Sequence, residues 1–204
     1  MPPSPEIHSR FMEFMLERNR PRMNGFQRWV FHPGMLFQAL EKWWGDQGLR
    51  AVPHEGLDLY SFEAAGGRAK TVDHETQIPA AFAGQVVKID RDFLGKSIYI
   101  IHAIYTDDGR QLLSAVGHTV PREGLQTGQP VAAGEIIAAV AGISGRKSDL
   151  PPHLHLTFAW AREEFRLDQL TWKNLGSDPG IRLIDPLAVI LSFSEKPSPA
   201  ACSL

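Results

Sequence analysis

Ser97-Ile98-Tyr99-Ile100-Ile101-His102-Ala103-Ile104-Tyr105, then Thr106-Asp107-Asp108-Gly109-Arg110, then Gln111-Leu112-Leu113-Ser114-Ala115-Val116 is the stretch whose reading decides the fold. Its first nine residues are dense in β-branched and aromatic side chains, which fit a pleated, half-buried surface. Asp107-Asp108-Gly109 supplies a hairpin turn, because glycine accepts the positive φ that such turns use. Residues 111–116 therefore return antiparallel to 97–105. Working outward, Ala83–Ile89 on one side and Glu135–Val140, His153–Trp160 and Ile181–Ile184 on the other read as further strands. Residues 144–152 and 172–180, rich in Gly, Pro, Asp and Asn, read as loops. From Leu57 onward the expectation is a mainly β domain, an antiparallel sheet core of the barrel-sandwich-hybrid kind.

The first fifty residues read differently. Ile7, Phe11, Phe14, Met15 and Arg18 recur near the helical period and predict a short amphipathic helix. A second helix is expected from Pro33 to Asp46, with Met35, Leu36, Ala39, Leu40 and Trp43 on one face and Gly45 and Gly48 as the stop. The expected division is a helical N-terminal extension over 1–50, a β-rich domain over 51–196, and a flexible tail over 197–204.

Composition narrows the function. The 204 residues carry 21 Lys plus Arg against 23 Asp plus Glu, a net charge of -2, so no global field favours nucleic acid or an anionic membrane. No uninterrupted apolar run approaches the roughly 18–20 residues of a membrane-spanning helix. Cys202 is the only cysteine, which excludes an intrachain disulfide and any zinc site built on several cysteines. The start, Met1-Pro2-Pro3-Ser4-Pro5-Glu6, shows no signal peptide.

Histidine and carboxylate are left as metal ligands, and two clusters offer them: His54-Glu55-Gly56-Leu57-Asp58 and Pro152-His153-Leu154-His155-Leu156. On an extended strand His153 and His155 share one face, with Leu154 and Leu156 on the other. His54 and Asp58 share a face if that segment is extended, and Gly56 between them leaves the gap open. Two imidazoles and a carboxylate suit zinc, whose catalytic sites take three protein ligands and leave one position for water. Such a site implies hydrolysis, with a further histidine accepting a proton or steadying negative charge.

The H-E-G-L-D and P-H-L-H-L motifs, with Gly128-Gln129-Pro130-Val131-Ala132-Ala133-Gly134-Glu135-Ile136-Ile137-Ala138 before the second, resemble the lysostaphin/LytM-type zinc endopeptidases. The resemblance spans roughly 52–190 and includes Ile184-Asp185-Pro186-Leu187. It implies an antiparallel β core with a groove across the metal, and cleavage of peptide bonds in bacterial peptidoglycan stems or cross-links. It implies zinc ligands at His54, Asp58 and His155, a catalytic histidine at His153, and a second at His118 in Val116-Gly117-His118-Thr119. It also implies a periplasmic or extracellular location. Spacing leaves open which histidine is the general base; His153 is taken as base and His118 as the stabiliser of the oxyanion. The sequence departs from the family at Gly117, at Leu156-Thr157 where Phe-Glu is frequent, and in a long insertion over Ala161–Arg182.

Other residues read as ordinary. His102 is expected to be a hydrogen-bonded core or rim residue, and His8, His32 and His74 to lie outside the site. Glu55 is expected to face away from His54. Trp29, Trp43 and Trp44 are read as core or docking aromatics before groove aromatics, and Arg146 and Lys147 as loop cations able to meet an acidic stem. Two rival functions use the same scaffold: a non-catalytic binding or regulatory module, since the Gly-bounded 128–138 turn also fits biotinyl- and lipoyl-type folds, and a zinc hydrolase for a substrate outside the wall.

Overall fold

The computed structural model describes residues 6–142 and 149–191. In chain order the elements are α1 (Phe11–Arg18), β1 (Phe26–Val30), β2 (Leu57–Leu59), β3 (Ser61–Ala64), β4 (Arg68–Thr71), β5 (Gln77–Pro79), β6 (Gly84–Arg91) and β7 (Lys96–Tyr105). They continue with β8 (Gln111–Pro121), β9 (Pro130–Val131), β10 (Ile136–Val140), β11 (Leu154–Ala161), α2 (Trp172–Leu175), β12 (Ile181–Ile184) and α3 (Pro186–Ile190). The protein is mainly β and antiparallel, as the sequence implies. The hairpin expected over 97–116 forms β7 and β8, with Gly109 at φ 77° in the turn.

A nine-stranded sheet runs in the order β12-β11-β8-β7-β6-β9, with β2 added to β11, and β10 joining β8 to β5. A three-stranded sheet, β1-β3-β4, stands beside it. The side chains of β11 are buried throughout. Leu154, Leu156, Phe158 and Trp160 belong to the main core with α1 and β1, whereas Ala159 and Ala161 belong to a second cluster with Tyr99, Leu170 and Leu175. The alternation read from sequence therefore holds: leucines face one side and His155 the other.

Helix α1 buries Phe11, Met12 and Met15, with Glu13 in its first turn and Arg18 in its last, charges that complement the helix dipole. Asn19 ends it by donating to Met15 O at 2.9 Å and to Gln77 O at 2.8 Å, which ties the helix to β5.

The helix expected over 33–46 does not form. Pro33–Met35 is a single 3-10 turn. Beyond it the backbone pairs across the chain: Gln38 N–H donates to His54 O, His54 N–H to Ala39 O, Arg50 N–H to Leu40 O and Lys42 N–H to Gly48 O. Gln38 sits at φ 64°, which no helix continues through. Tertiary partners thus override the periodic pattern, a routine outcome when propensity is weak. Loop 172–180 likewise contains one helical turn, α2, whose Thr171 cap accepts from Asn174 N–H. Arg146, Lys147, Cys202 and the 197–204 tail lie outside the described residues.

Candidate metal centre

Strand register builds the site. β11 lies between β2 and β8, so His155 is flanked by Asp58 on one side and Gly117 on the other. Between the pairs Ile98↔Val116 and Lys96↔Thr119, β7 advances two residues and β8 three. The extra residue is a bulge at Gly117-His118, and His118 takes a left-handed φ of 62°. A bulge re-aims the side chain that follows it, and here it brings the His118 ring centroid to 4.7 Å from that of His153. Gly117 is needed because a Cβ there would lie 2.8 Å from the Trp172 ring. Gly56 has the same importance between the first two ligands: a Cβ would lie 2.7 Å from His155 Nε2 and 2.5 Å from Thr157 Oγ1.

His54, Asp58 and His155, all buried, bring their donor atoms together. Asp58 Oδ1 lies 2.9 Å from His155 Nδ1 and 3.2 Å from His54 Nε2, and the two nitrogens are 3.2 Å apart. His153 Nε2 stands 3.6 Å from the same carboxylate oxygen. The opposite ring nitrogens are each held. His54 Nδ1 lies 3.0 Å from Leu36 O and His153 Nδ1 2.9 Å from Pro151 O. A carbonyl can only accept, so these two nitrogens carry the hydrogen, and in the neutral rings both Nε2 atoms present lone pairs. His155 Nε2 lies 3.0 Å from Thr157 Oγ1.

Lone pairs from two imidazoles thus converge on a carboxylate oxygen inside a buried cleft. The spacings of the three ligand candidates are close to the roughly 3.3 Å edge of a tetrahedron with bonds of about 2.0 Å. The donor set fits a divalent cation that accepts nitrogen and oxygen.

Electrostatics agree with that reading. Burial opposes the charge on Asp58, yet the facing His153, His54 and His155 hold its carboxyl well below the usual range. Burial lowers His155 and pushes His153 down to about 4, so both imidazoles are neutral near pH 7. The other carboxylate oxygen of Asp58 accepts Trp43 Nε1–H at 2.7 Å and lies 3.7 Å from the Arg50 guanidinium, which stacks over Trp44.

The family model described as peptidase family M23 matches residues 63–167, just over half of the chain. This chain belongs to peptidase family M23. The matched span contains His118, His153 and His155 and begins after His54 and Asp58, which the fold brings back through β2. Among solved structures, lysostaphin in solution is 18% identical, with 76% of this chain and 53% of that one covered, at a TM-score of 0.45. Csd3 of Helicobacter pylori is 22% identical over 82% of this chain and 32% of its own, at 0.42. The catalytic domain of the prophage-encoded M23 protein EnpA of Enterococcus faecalis, as a variant, is 21% identical over 65% and 86%, at 0.38. The chain spans about half the length of lysostaphin. A comparison with curated proteins finds no match.

The M23 chain gathers all five sequence-derived candidates, His54, Asp58, His118, His153 and His155, around one cleft. His102 lies elsewhere, fully buried, with Nδ1 3.0 Å from Ala83 O and Nε2 2.8 Å from Ser114 Oγ. His8, His32 and His74 are exposed and outside the cleft. Glu55 is among the residues that line the cleft, and residues 54–56 are irregular, so the two-residue alternation does not apply there. Trp29 is a core residue, yet Trp44 lines the cleft and Trp43 packs edge-on against His153 at 5.2 Å.

Sequence reasoning missed Asp92, Thr157 and Trp172. Asp92, in the turn between β6 and β7, lies 3.3 Å from His118 Nδ1. Trp172 comes from the insertion and packs edge-on against His155 at 4.6 Å. The available signal for Thr157 was its position two residues after His155, on the same strand face; Asp92 and Trp172 carry none.

Proposed function

We propose that this M23 peptidase is a zinc endopeptidase that hydrolyses peptide bonds in peptidoglycan stems or cross-links, acting in the periplasm or outside the cell. The convergence of lone pairs from carbonyl-fixed histidines on Asp58 Oδ1 carries this reading, because buried acceptor atoms this close together are stabilised by a cation between them. Family membership and the lysostaphin/LytM-type motifs support the substrate. Residues 51–196 are taken as the catalytic unit and 1–50 as an extension that packs against its ligands through Leu36, Trp43 and Arg50.

His54 through Nε2, Asp58 through Oδ1 and His155 through Nδ1 would hold the ion. Bound zinc supplies Lewis acidity toward a scissile carbonyl and lowers the pKa of water toward about 7. His153, neutral and with its Nε2 lone pair turned to the ligands, is placed to take up a proton and return it to the leaving amine. His118, whose ring centroid lies 4.7 Å from that of His153, is placed to steady the negative charge that grows on the carbonyl oxygen. Trp44 and Trp172 line the cleft and offer apolar surface to a substrate.

Elemental analysis of the purified chain, followed by digestion of purified cell wall and defined cross-linked peptides, tests the proposal. The expected result is one zinc per chain and new amino termini, with both lost in Asp58→Ala and His155→Ala. A His118→Ala chain should keep zinc and lose turnover. Zinc without wall cleavage would leave a hydrolase for another substrate, and full activity in His155→Ala would overturn the metal site.

A further inference from the structure

We propose that Asp92 is a positioning residue for the reaction, holding the His118 imidazole with Nδ1–H toward its own carboxylate and Nε2 toward the cleft. The inference rests on the reading of His118 as catalytic and concerns a residue outside the five assembled above.

The Asp92 carboxylate is fixed before it meets the ring. Oδ1 accepts the backbone N–H groups of Leu94 at 2.9 Å and Gly95 at 2.6 Å. Oδ2 accepts Ser97 Oγ–H at 2.7 Å and the backbone N–H of His118 at 2.7 Å. Its side chain is only 1% exposed. Oδ1 then lies 3.3 Å from His118 Nδ1. The same carboxylate therefore accepts the backbone N–H of His118 and lies 3.3 Å from its Nδ1, a buried nitrogen with no other hydrogen-bond partner, at the bulge where φ is 62°.

The ring has few other ways to be held. Its left-handed backbone lies at the bulge in β8, and its ring packs edge-on with those of His153 and His155. A buried carboxylate is costly to keep unless its charge is matched. Here burial works against its charge, while His118, followed by Ser97, draws its carboxyl well below the usual range. A carboxylate held at a fixed distance from the ring has the role an orienting acid plays beside a working histidine. With Nδ1–H committed to Asp92, Nε2 is the nitrogen left for substrate.

The chain of contacts continues outward. Ser97 Oγ, which donates to Asp92, accepts Trp172 Nε1–H at 2.8 Å. Trp172 in turn packs edge-on against His155. The Ala161–Arg182 insertion thus reaches His118 through Trp172, Ser97 and Asp92. A residue that only stapled the 92–95 turn would use the contacts to Leu94 and Gly95 and would leave His118 untouched.

The test uses the zinc-loaded full chain and purified peptidoglycan, with release of new amino termini followed at limiting and saturating substrate. Asp92→Asn should keep its zinc and its KM while kcat falls roughly 10- to 100-fold, the scale of a weakened proton-handling group. In a His118→Ala background the same substitution should cause no further loss, since a group acting through another has nothing left to act on. Wild-type kcat in Asp92→Asn, or an equal second loss in the double variant, overturns the positioning role. Full turnover in His118→Ala overturns instead the catalytic reading of His118. Should Asp92→Asn fail to fold, nitrogen-15 NMR of histidine in the unsubstituted zinc-loaded chain decides: a proton on His118 Nδ1 is expected, and an unprotonated Nδ1 overturns the proposal.

Discussion

Replacing Thr157 by valine removes a single hydroxyl and keeps the shape of the side chain. Thr157 is 1% exposed, so no water can take the place of its Oγ1 beside His155 Nε2, 3.0 Å away. The effect depends on whether metal is bound. Without metal, His155 can carry its proton on Nδ1 and donate to Asp58 at 2.9 Å, with Nε2 accepting the Thr157 hydroxyl, a hydrogen bond that valine also removes. With Nδ1 committed to a cation, Nε2 must carry the hydrogen, and valine strands a buried donor at a cost of about 1–3 kcal/mol. Loss of a group that orients a metal ligand independently costs about 10- to 100-fold in affinity, or about 1.4–2.7 kcal/mol. Thr157→Val should therefore raise the zinc Kd by roughly 10- to 100-fold. Competition with a chromophoric chelator measures the affinity, and Thr157→Ser, which keeps the hydroxyl, serves as the control. A valine variant within about threefold of wild type would refute the reasoning, since that is below any loss expected of an orienting group.

Other outcomes follow from the same geometry. Gly56→Ala must part β2 from β11, because its Cβ meets Leu156 O and Thr157 Oγ1, each at 2.5 Å. Overpacking of this kind costs about 1–3 kcal/mol, and thermal unfolding together with zinc content should fall; an unchanged alanine variant would show that the strands separate freely. His102, fully buried, has its pKa pushed by burial down to about 4. Because the unfolded chain binds this proton first, stability should be full above pH 6.5 and decline by about 3 kcal/mol as pH falls to 4. Denaturant unfolding across that range should show the decline in wild type and a smaller one in His102→Gln; equal slopes would place the sensitivity elsewhere.

Much of the site was legible because strands are periodic. His153 and His155 alternate with Leu154 and Leu156, and the structure places both leucines in the core. Gly56 was read as a gap between ligands, and the contacts its missing Cβ avoids give that gap a physical cause. Where periodicity failed, so did the reading. The 33–46 segment has helically spaced apolar residues, yet its backbone bonds to residues 48–54. Trp43 then becomes a hydrogen-bond donor to Asp58 in place of a helix-face residue. Alternation gives no face for Glu55 for a related reason, since 54–56 is not extended strand.

The sequence by itself determined the donor types, their order along the chain and the mainly β character, because each of these is local: a residue's chemistry, a two-residue alternation, a glycine turn. Only the tertiary structure decided that Asp58, His155 and Gly117 fall in one row across β2, β11 and β8, and that a bulge swings His118 toward His153. It also decided which ring nitrogens of His54, His153 and His155 turn inward, through Leu36 O, Pro151 O and Thr157. Register, bulges and second partners arise from contacts between residues far apart in the chain, and no local pattern encodes which of those contacts lowers the free energy of the whole.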